Sequence, residues 1–247
     1  MMLPITDGVF VTGTDTGVGK TVITAALAWS LASAGKSVAV MKPVQTGTSL
    51  PGMSDIEFAE TVLGAKHDPD DVCLYSLSEP LSPLAASEIS GIDIDTVRII
   101  DAYRRLCTAH DLVIVEGAGG LLVPIKKDYL MSDLAYDLGL PLLIVARPGL
   151  GTLNHTALTV EAAKKRGLNV LGVVINRFPA APGPAERSNP DQICRMTGTP
   201  IAGIFPEDTS ISVEGGKAGR IRELAPEAFV PPLGGVFDLG EFLNRLE

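Results

Sequence analysis

Positive charge is scarce in this sequence. The 20 Lys and Arg residues are outnumbered by 29 Asp and Glu residues, which gives a formal net charge of −9. Nucleic acids and anionic membranes are bound mainly through clustered basic side chains. The charge balance therefore argues against a nucleic acid or a membrane as the partner of this chain.

Cysteine and long apolar runs are scarce as well. Cys73, Cys107 and Cys194 are odd in number and far apart, and no Cys-x-x-Cys pair occurs. Disulfide frameworks need paired cysteines, so three separate thiols favour a reducing compartment. No run approaches the roughly 18 apolar residues of a membrane span, and residues 1–8 lack the basic and apolar regions of a leader. We expect a cytoplasmic protein that is not exported.

The sequence is rich in apolar residues, which occur in short runs separated by helical patterns. Hydrophobic residues make up 46% of the 247 residues, enough for one core, and we expect residues 1–247 to form a single domain. Apolar, β-branched runs predict strands at 9–11, 37–41, 112–115, 142–145, 169–175 and 201–205. Helices are predicted at 20–34, 94–107, 132–138 and 152–166. This order is typical of an α/β fold with a parallel sheet flanked by helices on both faces, of the P-loop NTPase type.

Four stretches give weaker signals. Residues 43–48 are predicted as a loop, and residues 67–92 as irregular structure with a possible strand at 72–75. Residues 178–190 are rich in Pro and Ala and are predicted as an excursion from the sheet. The tail from residue 210 onward receives no assignment.

Residues 13–21 lie between the first predicted strand and the first predicted helix and read Gly-Thr-Asp-Thr-Gly-Val-Gly-Lys-Thr. The pattern departs from G-x4-G-K-[ST], because Thr14 stands where the first glycine belongs and Gly13 is one residue early. A strand, a glycine-rich turn and a helix in this order direct backbone N–H groups at phosphates. We expect Lys20 to reach the outer phosphates and Thr21 to hold Mg²⁺. The alternative is a glycine-rich turn that binds nothing.

Three charged residues are predicted at the same edge of the sheet. Lys42 and Glu116 follow apolar strands, and Asp55 lies in the first turn of a helix that Ser-Asp-Ile-Glu opens as a capping box. Two carboxylates, a Thr hydroxyl and phosphates suit Mg²⁺. Alternatively, Asp55 favours only the helix dipole and Lys42 is a solvated strand end. The glycine-bounded turn before Thr152 is either a second anion site or a helix start that Thr152 caps.

Five motifs together carry a family resemblance. They are Gly-Thr-Asp-Thr-Gly-Val-Gly-Lys-Thr at 13–21, Lys-Pro-Val-Gln-Thr-Gly at 42–47, Ser-Asp at 54–55, Val-Glu-Gly-Ala-Gly-Gly at 115–120 and Leu-Gly-Thr-Leu-Asn-His at 150–155. In this order they resemble the dethiobiotin synthetases. The resemblance covers roughly residues 9–206, and the region after residue 207 matches poorly.

The resemblance implies closure of a cyclic urea on 7,8-diaminononanoate with CO₂, ATP and Mg²⁺, through a carbamate and a carbamic-phosphoric anhydride. Lys42 and Lys20 are then catalytic, and Thr21, Asp55 and Glu116 hold Mg²⁺. The implied nucleotide-binding residues are Gly17, Val18, Gly19, Lys20, Thr21, Val22, Asp55, Glu116, Gly117, Ala118, Gly119, Asn176, Arg177, Phe205, Pro206 and Glu207, with Asn176 and 205–207 flanking the adenine. Thr46 contacts the diamine or its carbamate. Gly151, Thr152, Leu153 and Asn154 bind the substrate carboxylate across the interface of a homodimer.

Two other classes share parts of this pattern. Partition and positioning ATPases carry a second lysine five residues before the loop lysine, but Asp15 occupies that position here. Amidotransferase-type synthetases acting on a corrinoid precursor need a second, glutaminase domain, for which 247 residues leave no room. Gly17 departs from the resemblance, because some relatives carry an acidic residue there.

Overall fold

Strands and helices alternate along the chain in a computed structural model that describes residues 7–246. The strands are β1 (Gly8–Gly13), β2 (Val38–Met41), β3 (Val44–Thr46), β4 (Tyr75–Leu77), β5 (Leu112–Gly120), β6 (Pro124–Lys126), β7 (Tyr129–Leu130), β8 (Leu142–Ala146), β9 (Val170–Phe178) and β10 (Ile201–Pro206). The helices are α1 (Lys20–Ser33), α2 (Asp55–Leu63), α3 (Pro69–Val72), α4 (Pro83–Ser90), α5 (Thr96–Ala109), α6 (Met131–Asp137), α7 (Thr152–Lys165), α8 (Pro184–Thr197), α9 (Ile221–Ala228) and α10 (Leu239–Asn244). A short 3₁₀ turn spans Pro231–Leu233.

Six strands form one parallel sheet in the order β10-β9-β8-β1-β5-β2. The chain passes from β1 to β2 on one side and from β8 to β10 on the other. Right-handed crossovers in opposite directions place helices on opposite faces, and ligands collect at the carboxyl ends of the strands where the direction changes. The predicted fold class is confirmed, and the change of direction lies beside β1, directly before the glycine-rich loop.

The central strands are continuous apolar runs because helices cover both faces of the sheet. β1 and β8 are buried along their whole length. Helix α1 is buried almost all round because it packs on the sheet and is itself covered by α2 and α9. Its alanines permit this close approach from several sides. Among residues 7–246, no helix combines the length and apolarity that crossing a membrane requires.

The prediction of irregular structure for residues 67–92 is wrong for much of that stretch, which contains α3, β4 and α4. Two of its three prolines begin helices instead of breaking them. Pro69 and Pro83 occupy first helical positions, where a missing N–H costs nothing, and Asp68 and Ser82 cap these helices with their side chains. The predicted strand at 72–75 is displaced, since β4 begins at Tyr75.

Two further predictions need correction for related reasons. The excursion predicted at 178–190 contains the start of α8, where Pro184 is again the first residue and Glu186 accepts a hydrogen bond from the Gly183 N–H at 3.0 Å. The loop predicted at 43–48 contains β3, which pairs with β4 in a separate parallel ribbon. Three-residue strands carry too few residues for their periodicity to be read from sequence.

The unassigned tail docks on the helices beside the sheet. The Arg222 guanidinium lies 4.6 Å from the Trp29 ring centroid and donates to the carbonyls of Val62 at 2.9 Å and Thr61 at 3.0 Å. The Trp29 indole N–H donates back to the Arg222 carbonyl at 3.0 Å. These contacts satisfy carbonyls at the carboxyl end of α2 and tie α9 to α1 and α2.

Candidate active site

The glycine-rich loop leaves the sheet at the end of β1. The Thr14 N–H donates to the Val145 carbonyl of the neighbouring β8 at 3.0 Å, which fixes the start of the loop. Gly17 and Gly19 adopt left-handed φ angles of +76° and +89°. Left-handed glycines within such a turn direct successive N–H groups into one concavity, which is the geometry that binds phosphate.

Lys20 is the first residue of α1 and is buried. Burial lowers the pKa of its ammonium below the ordinary Lys value, although the nearby Glu116 carboxylate opposes this shift. A buried cation that loses solvation gains from an incoming polyanion. Lys20 is therefore placed to receive phosphate charge, as the loop motif predicts.

Glu116 lies within β5 at the position that pairs with Val11 of β1, so it faces the same end of the sheet as the loop. It is 2% exposed. Its Oε1 accepts a hydrogen bond from the Thr21 hydroxyl at 2.9 Å and lies 2.8 Å from the Lys42 ammonium. One buried carboxylate oxygen thus joins the helix that follows the phosphate loop to the lysine that follows β2.

Lys42 lies between two carboxylates. Its ammonium contacts Asp55 as well as Glu116. Burial alone disfavours the ammonium, but attraction to Glu116 and then Asp55 outweighs this effect and raises the pKa of Lys42 above the ordinary Lys range. Lys42 is consequently a fixed positive charge at neutral pH, and the interpretation of it as a solvated strand end is wrong.

Asp55 is held by the cap of α2, as its sequence predicts. The Ser54 hydroxyl accepts from the Glu57 N–H at 3.3 Å and donates to Glu57 Oε2 at 2.7 Å, while the Ser54 N–H donates to the same carboxylate at 2.9 Å. This reciprocal capping box satisfies two otherwise free donors at the start of the helix. The first turn of α2, which carries Asp55, is thereby fixed.

We expect Ser54→Ala to lower the free energy of unfolding by about 1 kcal/mol at pH 7, because an N-cap side chain is lost. Part of this difference depends on pH. Hydrogen bonds from Ser54 lower the pKa of Glu57, so their stabilisation is present above the ordinary Glu pKa and is lost as pH falls through the lowered value. Urea unfolding of Ser54→Ala and of the unchanged protein at pH 7 and at about pH 3.5 measures the difference in their free energies of unfolding. This difference should be smaller at the lower pH.

Ser82→Ala is the matched control, since Ser82 caps α4, which carries none of the three expected Mg²⁺ ligands. Both substitutions should cost similar stability at pH 7, but only Ser54→Ala should also weaken the response of the protein to Mg²⁺. If Mg²⁺ has the same effect on both variants, the Ser54 cap does not determine the position of Asp55 and this part of the prediction is wrong.

A cleft of about 1330 Å³ opens over these residues. The expected site residues that line it are Gly17, Gly19, Lys20, Thr21, Val22, Lys42, Thr46, Asp55, Glu116, Ala118, Gly119, Asn176, Arg177, Phe205, Pro206 and Glu207. Val18 and Gly117 do not line it. Val18 is buried, and a Cβ at Gly117 would lie 2.9 Å from the Phe10 ring, so this glycine permits close packing under the site.

The donor chemistry fits the implied Mg²⁺. Thr21, Glu116 and Asp55 supply a hydroxyl and two carboxylates around the Lys42 ammonium. Mg²⁺ takes hard oxygen ligands, keeps several waters and usually shares phosphates with its protein. Within the described chain, no cluster of three or more His, Cys, Asp or Glu side chains is placed to hold a metal. The arrangement suits an ion that arrives with a nucleotide better than one bound by protein groups alone.

The turn at 151–154 does not line the cleft. Gly151, with a left-handed φ of +89°, is the cap residue of α7, so the prediction that Thr152 caps this helix is wrong. Thr152 is its first residue, and its buried hydroxyl has no hydrogen-bond partner among the described residues. The turn nevertheless follows β8, the strand next to β1, and therefore lies at the same edge of the sheet.

Arg147 and Gln45 belong to the surroundings of the site and were not assigned a role from sequence. The Arg147 guanidinium lies 3.1 Å from Asp15 in the phosphate loop and 3.1 Å from Nδ1 of His155 in α7, which links the loop to the turn before that helix. Gln45 lines the cleft, and its buried Oε1 has no partner in the described part of the chain. The position of Arg147 directly after a strand was the available signal, and Gln45 lies within the motif at 42–47.

Known proteins are similar to this chain over most of its length. The profile of the AAA domain family matches residues 7–214. An ATP-dependent dethiobiotin synthetase of Anaeromyxobacter sp. (strain K) is 43% identical over 215 residues, which are 87% of this chain and 96% of that protein. Its counterpart in Bacillus subtilis (strain 168) is 39% identical over 208 residues, 84% and 90% of the two chains. A third, from Parafrankia sp. (strain EAN1pec), is 41% identical over 240 residues and covers 95% of this chain and 97% of its own, so the likeness continues beyond residue 207.

Solved structures share the fold at low sequence identity. The septum site-determining protein MinD of Pyrococcus horikoshii OT3, complexed with Mg-ADP, is 17% identical with a TM-score of 0.57, over 90% of this chain and 96% of that one. A ParA family ATPase from Chlorobium tepidum TLS is 17% identical with a TM-score of 0.55, over 98% and 99%. At this identity the likeness establishes only that the chain has the P-loop NTPase fold.

Proposed function

Because this chain belongs to the AAA domain family and to the ATP-dependent dethiobiotin synthetases, ligases of biotin biosynthesis, we propose that it makes dethiobiotin from 7,8-diaminononanoate, CO₂ and ATP. One amine of the diamine takes up CO₂ and becomes a carbamate. A carbamate oxygen attacks the γ-phosphorus of ATP, and ADP leaves. The second amine then attacks the carbonyl carbon of the mixed anhydride, the bond to the phosphate oxygen breaks, and phosphate departs as the urea ring closes.

The observation that carries this proposal is the buried group of Lys42, Glu116 and Thr21 beside the phosphate loop. Phosphoryl transfer needs positioned positive charge more than it needs a protein nucleophile. Lys20 would supply charge from the loop and Lys42 from the residue after β2, where the carbamate is expected. Glu116 holds Lys42 at 2.8 Å, so its charge is oriented before substrate arrives.

Thr21, Asp55 and Glu116 would hold Mg²⁺ together with the phosphates of ATP. When bound, the ion supplies further positive charge at the phosphates. The N–H groups of residues 17–22 would surround the phosphates, and Ala118 and Gly119 would form the adjoining wall after Glu116, with Gly117 packed beneath it on Phe10. Asn176 and Arg177 at the end of β9, and Phe205, Pro206 and Glu207 at the end of β10, would flank the adenine.

In the proposed function, the diamine lies between Thr46 and the turn formed by Gly151, Thr152, Leu153 and Asn154. The Thr152 N–H donates to the Gly149 carbonyl at 3.2 Å, so the N–H groups of Leu153 and Asn154 in the first turn of α7 are the ones that suit its carboxylate. Because this turn lies outside the cleft, the carboxylate is bound by the turn of a second subunit in a homodimer. Leu150, 88% exposed, and Leu158, 56% exposed, give the neighbourhood of the turn an apolar surface that such a contact would cover.

Two broader assignments complete the proposal. We take residues 1–247 as one synthetase domain, supported by the docking of α9 on α1 and α2. The reaction is placed in the cytoplasm, and the free thiols of Cys73, Cys107 and Cys194 accord with a reducing compartment.

The test is fixation of labelled bicarbonate by the purified protein. Label should enter an acid-stable product only when ATP, Mg²⁺ and 7,8-diaminononanoate are all present, and one ADP should form for each label fixed. A protein that binds ATP but fixes nothing would contradict the proposal. ATP hydrolysis that DNA or lipid vesicles stimulate, and to which the diamine makes no difference, would instead favour a positioning ATPase of the kind that shares this fold.

A further inference from the structure

Arg147 directly follows β8 and lies between the phosphate loop and helix α7. Its Nη2 lies 3.1 Å from Oδ2 of Asp15 in the loop and 3.1 Å from Nδ1 of His155 in the first turn of α7. A guanidinium nitrogen can only donate, and Nη2 carries two hydrogens, one for each acceptor. Nδ1 of His155 therefore carries no proton in this arrangement, and one cationic group holds both partners.

On the loop side, the contact reaches the backbone. While Oδ2 of Asp15 accepts from Arg147, its Oδ1 accepts from the Thr16 N–H at 2.8 Å. The Thr14 N–H donates to the carbonyl of Val145, two residues before Arg147, at 3.0 Å. The first part of the loop is thus attached to the end of β8 through its backbone and through the Asp15 carboxylate.

On the other side, the contact reaches the turn before α7. The His155 N–H donates to the Gly151 carbonyl at 3.1 Å, and a Cβ at Gly151 would lie 4.0 Å from Cε1 of the His155 ring. The ring that accepts from Arg147 therefore lies beside the turn at 151–154. In the proposed function, this turn binds the carboxylate of the diamine.

The charges of this pair suit a connection between sites better than they suit phosphate binding or stability. The side chains of Arg147 and Asp15 are 45% and 52% exposed, and exposed ion pairs add little to the stability of a fold. The Asp15 carboxylate also offsets the charge that Arg147 could offer to phosphates. What the pair does supply is a physical link between the phosphate loop and the turn.

We propose that Arg147 is a positioning residue that couples the phosphate loop to the turn at 151–154. Phosphates that order the loop also fix Asp15, and with it Arg147 and His155, so the diamine carboxylate meets a turn that is already ordered. Coupling between two ligands is reciprocal, so the diamine strengthens nucleotide binding by the same factor. The inference rests on the proposed function, because it needs the diamine at this turn. In the proposed homodimer, it joins the phosphates of one subunit to the diamine of the other.

The experiment measures ADP affinity by calorimetry in the presence of Mg²⁺, with and without saturating 7,8-diaminononanoate. The ratio of the two affinities is the coupling factor, in which effects on ADP alone cancel. In the unchanged protein, the diamine should tighten ADP by about fivefold, and in Arg147→Met this factor should fall below about twofold. An unchanged factor in the variant, or no coupling in the unchanged protein, overturns the proposal.

Arg166→Met is the matched control. Arg166 directly follows α7 and lies 3.0 Å from Asp133, and the two side chains are 38% and 35% exposed, so this is also a largely exposed pair. Both variants should melt within about 4 °C of the unchanged protein, because neither pair contributes much to stability. Arg166→Met should keep the coupling factor. Equal loss of coupling in both variants would mean that α7 is merely loosened, which overturns the proposal.

Asp15→Asn tests the same contact from the loop and covers the case in which Arg147→Met does not fold. It keeps the shape of the side chain and removes the charge that faces Arg147, so the coupling factor should fall as well. Combining the two substitutions should lower it no further, because both remove one contact, and additive losses would overturn the proposal. A protein that fixes bicarbonate but shows no coupling refutes this inference alone, whereas a protein that does not bind the diamine contradicts the proposed function too.

Discussion

Lys42→Met should lower kcat by about 10²- to 10³-fold while changing ADP affinity less than about threefold. The side chain keeps similar length and loses its charge, so the effect reports the ammonium. Lys42 lies directly after β2, held by Glu116 at 2.8 Å and by Asp55, and its raised pKa keeps it positive throughout the working pH range. A charge placed there stabilises the transferring phosphoryl group more than it stabilises bound ADP.

Lys20→Met provides the contrast. Lys20 lies at the start of α1, where phosphates bind in the ground state as well as in the transition state, so its loss should weaken ADP by at least about tenfold and lower kcat too. Lys36→Met is the control in the exposed loop before β2 and should change neither quantity. Equal kcat losses with unchanged ADP affinity in Lys42→Met and Lys20→Met would contradict this division between the two lysines.

Lys42→Met should also change the stability of the protein, independently of catalysis. Without the Lys42 ammonium, the carboxylates of Asp55 and Glu116 lose their shared cation, and buried charges without a partner destabilise a fold. We therefore expect Lys42→Met to melt at a lower temperature than the unchanged protein, and added Mg²⁺ to recover part of the difference. Recovery by Mg²⁺ but not by the same concentration of KCl would support a divalent site at these carboxylates.

The sequence predicts the sheet and the edge at which the candidate site lies because both follow from patterns that extend over many residues. Apolar runs predict β1 and β8 to within two residues and the first residue of β5, although β5 continues to Gly120, and parallel strands bring their carboxyl ends to one edge. This arrangement predicts that Lys42 and Glu116 lie near Thr21. Their shared contact, one carboxylate oxygen between a hydroxyl and an ammonium, depends on side-chain directions that periodicity does not encode.

The wrong predictions of irregular structure have a common physical cause in short or proline-containing elements. The stretches that contain Pro69, Pro83 and Pro184 are predicted as irregular, but each of these prolines occupies a first helical position, where proline is favourable. The hydrogen bond from the Asn176 amide to the Val18 carbonyl, at 2.9 Å, has no sequence signal either. The amide is available to Val18 only because β9 lies beside β8 and β8 beside β1, a neighbourhood set by the strand order.

Glu116→Gln should raise the Mg²⁺ concentration that gives half-maximal activity by about 100-fold or more, since even residues that only support metal ligands change metal affinity by about 10- to 100-fold. The substitution keeps shape and hydrogen-bonding atoms but removes the charge that faces Thr21 and Lys42. Glu88→Gln, the same change on the exposed surface of α4, is the matched control and should leave the Mg²⁺ requirement unaltered. Steady-state rates across a Mg²⁺ titration at saturating ATP measure both.

The stability of Glu116→Gln gives an independent check, because Lys42 loses one of its two carboxylate partners. A raised Lys pKa contributes stability that is fully present below the ordinary Lys value and is lost only as pH rises through the raised one. The deficit in unfolding free energy should therefore be constant between about pH 6 and pH 9, well below the ordinary Lys pKa of about 10.4. A deficit that changes steeply within this window would mean that Lys42 is not held as a permanent cation, and the division of labour between the two lysines would fail with it.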